Sequence, residues 1–262
     1  MARQTQKGES ALRQAQEIAS CFDLRGEILE TNRLSRGHIN DTFEISTTDD
    51  RYILQRIRQD VFPHPLEVMH NIRLVTREMK QKGVQDSLTL IPVCFPLSRS
   101  GLDYFMHPSG EIWRCYEFIP GNVYDSVPDT SGGCHIAKEA ARAFGQFQRL
   151  LADIPAAMVY ETIPLFHHTP TRYQHLENAI KENKANRVES SLPELTFARK
   201  YQPLASTLTD LMDAGEIPCV VVHNDTKINN VLFEDADHPR AKVVLDLDTL
   251  MPGSRLYDFG DL

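Results

Sequence analysis

Between Cys219 and Leu262, carboxylates, asparagines and a lysine crowd around two short apolar runs, Cys219 to Val222 and Val243 to Leu247. Polar groups so close to strands that will be buried need a task, because leaving them unpaired in an interior is costly. Phosphoryl transfer supplies one: a carboxylate takes the proton of an attacking hydroxyl, while an Asn and an Asp hold Mg²⁺ against nucleotide phosphates. His223, Asp225, Lys227 and Asn230 are spaced for it, with Asn230 five positions after Asp225. Asp225 is the candidate base and Asn230 the first candidate metal ligand. Asp246, at the end of the strand Val243-Val244-Leu245, is the second, and strand alternation turns Asp248 the same way as a supporting contact. Lys227, two residues beyond the base, is the candidate for stabilising charge that develops on the transferred group.

The interval from Asp225 to Asn230 is that of the protein-kinase catalytic loop. The sequence resembles the aminoglycoside phosphotransferase and choline kinase superfamily. Within it the chain is similar to bacterial N-acetylhexosamine kinases, whose HxDTKxNN and IDLDTxMPG segments are matched by His223 to Asn230 and Leu245 to Gly253. The resemblance implies ATP and Mg²⁺ as cofactors and a small-molecule acceptor, an amino sugar phosphorylated at its 1-OH. It implies that Gly37 to Phe43, with Gly37 and Asn40, forms a hairpin over the nucleotide, and that Tyr116 to Gly121 is a hinge whose Glu117 and Ile119 backbones pair with adenine. Arg56 takes the place of the usual phosphate-gripping lysine, with Gln55 as the alternative register and Glu67 or Glu78 as its acid. Asp258 matches the aspartate that braces the catalytic loop. Relatives continue past the Tyr257-Asp258-Phe259-Gly260 segment with helices that complete the acceptor pocket, so a chain ending at Leu262 is expected to be incomplete there.

The elements that must position these residues follow from periodicity. Leu12, Ala15, Ala19 and Phe22 recur at helical spacing and predict a first helix over 10–22. Alternation across 26–57 predicts an antiparallel meander, Pro65 opens a long helix that stops before Gly83, and strands are expected over Leu88 to Val93 and Ile112 to Phe118. Apolar residues from Ile136 to Ala152 predict another helix, 172–189 and 194–213 read as helical, and strands return at Cys219 to Val222, Val231 to Phe233 and Val243 to Leu247. The expected fold is α+β and two-lobed, protein-kinase-like, with a sheet-containing nucleotide-binding lobe over 1–118 and a mainly helical catalytic lobe over 119–262. Tandem His167 and His168 sit in a loop where the second lobe meets an acceptor.

Composition narrows the field. A chain of 262 residues with 41% hydrophobic content can bury a core. Net charge −8 argues against nucleic-acid binding, which needs a basic footprint. No apolar run is long enough to span a bilayer and the N-terminus lacks a signal-peptide core, so the expected location is cytoplasmic. Five scattered cysteines form no CxxC pair and read as free thiols. The rival reading takes Asp246-Leu247-Asp248-Thr249 as the nucleophile motif of a haloacid dehalogenase-type phosphatase; too few residues follow Thr249 to build the rest of such a site. Other small alcohols, aminoglycosides, or nucleotide binding without transfer are the alternatives within the kinase reading.

Overall fold

Phe43, Ile45, Tyr52, Leu54, Trp113 and Cys115 take alternate positions of their strands, and the pleat of a sheet puts them all on one face. Strands β1 (Ile28–Leu34), β2 (Asp41–Thr47), β3 (Arg51–Arg56), β4 (Phe105–Met106) and β5 (Ile112–Glu117) form one antiparallel sheet in the order β1-β2-β3-β5-β4. Helix α1 (Ala2–Ala19) lays Ala15, Ile18 and Ala19 on that apolar face. It begins earlier than the predicted 10–22, and Phe22 has left the helix to bridge Ser98. In register, Gln55 lies opposite Arg114 and Arg56 opposite Trp113. Arg56 therefore shares the α1 face, while Gln55 and Arg114 share the other.

The computed structural model describes residues 2–34, 39–82, 95–129, 132–234, 237 and 239–262. The strand expected at Leu88 to Val93 and the glycine at position 37 lie outside them. Strand β4, only two residues long, gave no periodic signal.

Helix α2 (Pro65–Lys82) starts at its proline as predicted and buries Val68, Met69, Ile72, Val75 and Met79. These pack in one large core with α3 (Gly133–Leu151), which contributes Ile136, Ala140, Phe144, Phe147 and Leu151. The same core takes in Val221 of β6 (Val220–Val222), Val231 and Phe233 of β7 (Val231–Glu234) and Val244 of β8 (Arg240–Val244). Beyond α3 lie α4 (Thr169–Glu182), α5 (Leu192–Tyr201) and α6 (Thr207–Asp213). The predicted helix over 172–189 ends early because Asn183 adopts a left-handed cap at φ 41°. The helix predicted over 194–213 is two helices, interrupted by the 3-10 turn Gln202–Leu204 that carries Pro203. Strand β6 pairs with β9 (Met251–Gly253), β7 pairs with β8, and α7 (Arg255–Asp261) closes the chain. The strand predicted to reach Leu247 stops at Val244, because Asp246 turns to φ 54°. Among the described residues no helix is long and apolar enough to cross a membrane.

The chain leaves the five-stranded sheet through Pro120-Gly121. Immediately afterwards Asn122 and Phe233 exchange backbone hydrogen bonds of 2.8 and 2.9 Å, stitching the crossing to β7. A Cβ on Gly121 would stand 2.7 Å from both Leu232 Cγ and the Phe233 carbonyl oxygen, so only glycine permits this approach. Gly121→Ala is expected to destabilise the fold by about 1–3 kcal/mol, as overpacking does. Chemical denaturation checks this; an unchanged midpoint contradicts the tight crossing.

Candidate functional site

Strand β6 ends by delivering His223, fully buried between the edges of Phe144 and Phe147 with ring centroids 5.4 and 5.7 Å away. Its Nδ1 accepts the Asp225 N–H at 3.2 Å, so Nε2 carries the proton and donates to the Leu245 carbonyl at 2.9 Å. Burial pushes the imidazole pKa down from 6.5 and keeps it neutral, as this bonding requires. The next residue, Asn224, takes a left-handed turn at φ 66° and donates its side-chain amide to Thr249 O at 3.0 Å.

Asp258, buried on α7, accepts the backbone N–H of His223 at 3.1 Å and of Asn224 at 2.7 Å, together with Gln148 Nε2 at 3.0 Å. One helical turn later Asp261 accepts the Thr226 N–H at 2.5 Å, and the Thr226 hydroxyl donates to the Asp258 carbonyl at 2.6 Å. Sequence reading singled out Asp258 but missed Asp261; their three-residue spacing, which aligns them on one helix face, was the available signal. From the opposite side His167 Nε2 donates to Asn224 O at 2.9 Å while its ring stacks on Tyr257, centroids 5.0 Å apart. His167 borders a cavity of about 200 Å³ with Phe166, Asn224, Met251 and Tyr257. His168 instead caps α4, its Nδ1 accepting Thr171 N–H at 3.2 Å.

The loop so held presents Asp225, Lys227 and Asn230 together. Asn230 Nδ2 donates to Asp225 Oδ2 and to the Asp225 carbonyl, both at 2.8 Å, and Lys227 Nζ sits 2.8 Å from the same Oδ2. Asn230 is also tied to the second acidic segment, because its carbonyl accepts the Leu245 N–H at 2.8 Å. Asp246 follows directly in its left-handed conformation, leading into the 3-10 turn Leu247–Thr249. Its side chain is open to solvent at the cleft surface, yet protein surrounds it on most sides. That partial loss of water, reinforced by Asp248, with Arg114 opposing and Asp225 adding, raises its carboxyl to about 6.

Asp248 lies buried and its two oxygens are both engaged: Oδ1 takes Arg114 Nη1 at 2.5 Å and Oδ2 takes Asn40 Nδ2 at 2.7 Å. Asn40 thus reaches from the β1–β2 connection to the acidic loop, and its own Oδ1 accepts Arg58 N–H at 3.1 Å. Arg56 is not in the cleft. It bonds Asp41 and Glu111 and lies over Trp113 on the α1 face, so neither Glu67 nor Glu78 of α2 is its partner. The alternative register, Gln55, is the one on the face of Arg114, which bonds Asp248 of the acidic loop. Glu117 is exposed at the end of β5. Ile119 packs with Tyr116, Val123 and Leu245 against Leu232 and Val243.

A neutral, buried His223 has a direct thermodynamic signature. Its folded-state pKa lies below the ordinary 6.5, so the unfolded chain binds the extra proton more readily; its contribution is full above that value and is lost as pH falls below it. His223→Gln is expected to cost about 1–3 kcal/mol at pH 8 by leaving buried backbone groups unpaired, and to narrow the stability difference between pH 8 and pH 5. Thermal melts of both proteins at the two pH values check this, and an identical pH dependence in the variant contradicts it.

The chain superposes on an aminoglycoside phosphotransferase from Alicyclobacillus acidocaldarius with TM-score 0.61 and 16% identity, over 93% of this chain and 68% of that one. It superposes on a microcompartment-associated aminopropanol kinase with TM-score 0.63 and 16% identity, over 94% and 72%. A spectinomycin phosphotransferase solved with ADP and spectinomycin gives 0.55 and 13%, over 94% and 71%. At such identities the likeness establishes the fold: α+β, kinase-like, an antiparallel sheet lobe joined to a mainly helical region. The sequence pattern of the family described as "Phosphotransferase enzyme family" matches residues 30–262, which takes in both acidic loops and the braces behind them, and the chain belongs to that family.

Proposed function

We propose that this phosphotransferase is an ATP-dependent kinase of small molecules, with Asp225 as general base and Asn230 and Asp246 as the protein's magnesium ligands. The observation that carries the reading is the convergence of two loops: Asn230 is bonded through its side chain to Asp225 and through its backbone to Leu245, the neighbour of Asp246. The donor set suits Mg²⁺, which favours one or two hard oxygen ligands from protein and takes the rest from phosphates and water. Among the described residues no three His, Cys, Asp or Glu side chains form a closed metal cage, so phosphate oxygens complete the shell in this reading. Loss of water, and after it the neighbouring Asp248, raise the carboxyl of Asp246, and a bound cation would offset both. When bound, Mg²⁺ would neutralise the phosphates and hold them in line with the acceptor.

The residues around it have separate tasks. Asp225 orients the acceptor hydroxyl and takes its proton as the oxygen attacks the γ-phosphorus. Lys227, beside Asp225, would offset charge that develops on the transferred group. Phe118 N–H is turned to Arg51 O at 2.9 Å, so the Glu117 carbonyl, anti to it in the same peptide, faces away from β3. That orientation supports pairing of adenine with the Glu117 and Ile119 backbones over the apolar patch of Leu232 and Val243. The domain division at residues 118 and 119 falls within this hinge. An ATP-using enzyme accords with a cytoplasmic setting.

For the acceptor, the segments His223 to Asn230 and Leu245 to Gly253 support an N-acetylhexosamine phosphorylated at its 1-OH, giving the sugar 1-phosphate and ADP. ADP release measured across N-acetylglucosamine, N-acetylgalactosamine, other hexoses, choline, an amino alcohol and an aminoglycoside tests it. Turnover confined to amino sugars is expected, and turnover confined to another acceptor overturns the sugar assignment while leaving the kinase. Asp225→Asn is expected to keep ATP binding and lower kcat at least about 100-fold, the usual weight of general-base assistance. Near-full activity in that variant rules Asp225 out as the base.

A further inference from the structure

Gln55 is neutral, so the strand position that faces the acidic loop cannot itself supply charge. The cation on that face comes from the next strand. Arg114 of β5 lies directly opposite Gln55 in register, and the residue is only 4% exposed. Nε and Nη2 donate to Gln55 Oε1 at 3.0 and 2.6 Å, which fixes the plane of the fork and aims Nη1 at Asp248 Oδ1, 2.5 Å away. Gln55 is itself fixed, donating from Nε2 to Thr42 Oγ1 at 3.1 Å. Burial works against the charge on Arg114, and Asp248 more than offsets it, so the guanidinium pKa is raised.

The target of this fork is the turn that carries Asp246. Successive carbonyls of that turn accept from outside it: Asp248 O from Thr162 Oγ1 at 3.0 Å, Thr249 O from Asn224 Nδ2 at 3.0 Å and Leu250 O from Asn71 Nδ2 at 2.8 Å. Those bonds fix the turn's far end to α2 and to the segments that follow α3 and β6. The Asp248 side chain is its link to the five-stranded sheet, and Asp246, two residues earlier, holds a left-handed conformation that a non-glycine residue keeps only when its neighbours enforce it.

We propose that Arg114 is a positioning residue for the magnesium loop: from β5, oriented by Gln55, it tethers the sheet to Asp248 and so sets the place of Asp246. Asp248 is then a structural partner of Arg114, and the metal pair is Asn230 with Asp246. The proposal rests on reading those two residues as magnesium ligands, and it assigns the charge that the β3 position lacks to a neighbouring strand.

Removing Arg114 alone leaves a buried, unpaired Asp248 and can unfold the protein, so the decisive variant is Arg114→Met with Asp248→Asn, which removes both charges. ATP binding is titrated by calorimetry with and without Mg²⁺, and amide hydrogen exchange is followed over 246–250 without nucleotide. In the double variant the gain in ATP affinity on adding Mg²⁺ is expected to shrink at least about tenfold, the usual cost of losing a residue that orients a metal ligand. Metal-free ATP binding is expected to fall much less than that gain, because the Arg114 fork is spent on Gln55 and Asp248. Exchange over 246–250 speeds up at least about tenfold as the turn loosens. Gln55→Lys with Arg114→Met, Asp248 intact, returns a cation to the same face and is expected to restore both readouts. Wild-type exchange and wild-type Mg²⁺ dependence in the charge-free double variant overturn the proposal. If the wild type itself gains nothing from Mg²⁺, the magnesium reading fails, and the exchange experiment alone then decides whether the tether exists.

Discussion

A neutral imidazole, beside the Leu245–Asn230 backbone bond and the Asn224–Thr249 bond, holds the two acidic segments in one place. His223 takes the Asp225 N–H on one nitrogen and gives its own N–H to Leu245 O on the other, so it sets the separation between the proposed base and the strand end that precedes Asp246. The ring does this only while it is uncharged, and only while Phe144 and Phe147 of α3 keep water from it. Helix α3 therefore matters to the chemistry, and its Gln148 also reaches the brace Asp258 at 3.0 Å. Asp258 and Asp261 complete the arrangement by taking the loop's backbone donors, which a tight loop cannot pair within itself.

Concentrating Asp225, Asp246 and Asp248 in one cleft is electrostatically unfavourable, and the surrounding residues show how the chain manages it. Lys227 sits on Asp225 at the surface, where the pair is worth little to stability but keeps a cation at hand. Arg114 sits on Asp248 in the interior, where breaking the pair would be costly. Asp246 has no such direct partner among the described residues, and loss of water, with Asp248 adding to it, raises its carboxyl. The uncompensated charge is thus left at the position where a divalent cation and phosphates would meet.

Much of this was legible in the sequence. Alternation identified the strands of the meander, Pro65 marked the start of α2, and the interval from Asp225 to Asn230 identified the loop. The rest depended on facts that one-dimensional spacing does not carry. Whether Arg56 or Gln55 faces the cleft is a matter of pleat parity, and a one-residue slip exchanges the faces. Arg114 was invisible because its partners, Gln55 and Asp248, lie on a neighbouring strand and in a distant loop. An ideal strand would turn Asp248 the same way as Asp246; the left-handed Asp246 ends the strand, and Asp248 lies buried against Arg114 and Asn40. The break between α5 and α6 hung on one proline within a polar stretch whose periodicity was already weak.

The central claim is transfer of phosphate from ATP to a small-molecule hydroxyl in this cleft. Following ATP, Mg²⁺ and an N-acetylhexosamine by ³¹P NMR tests it most directly, because the spectrum distinguishes transfer to an alcohol from transfer to water. The account predicts a new phosphomonoester signal that grows mole for mole with ADP. Unchanged ATP with every acceptor tried, or loss of ATP to orthophosphate alone, would contradict it.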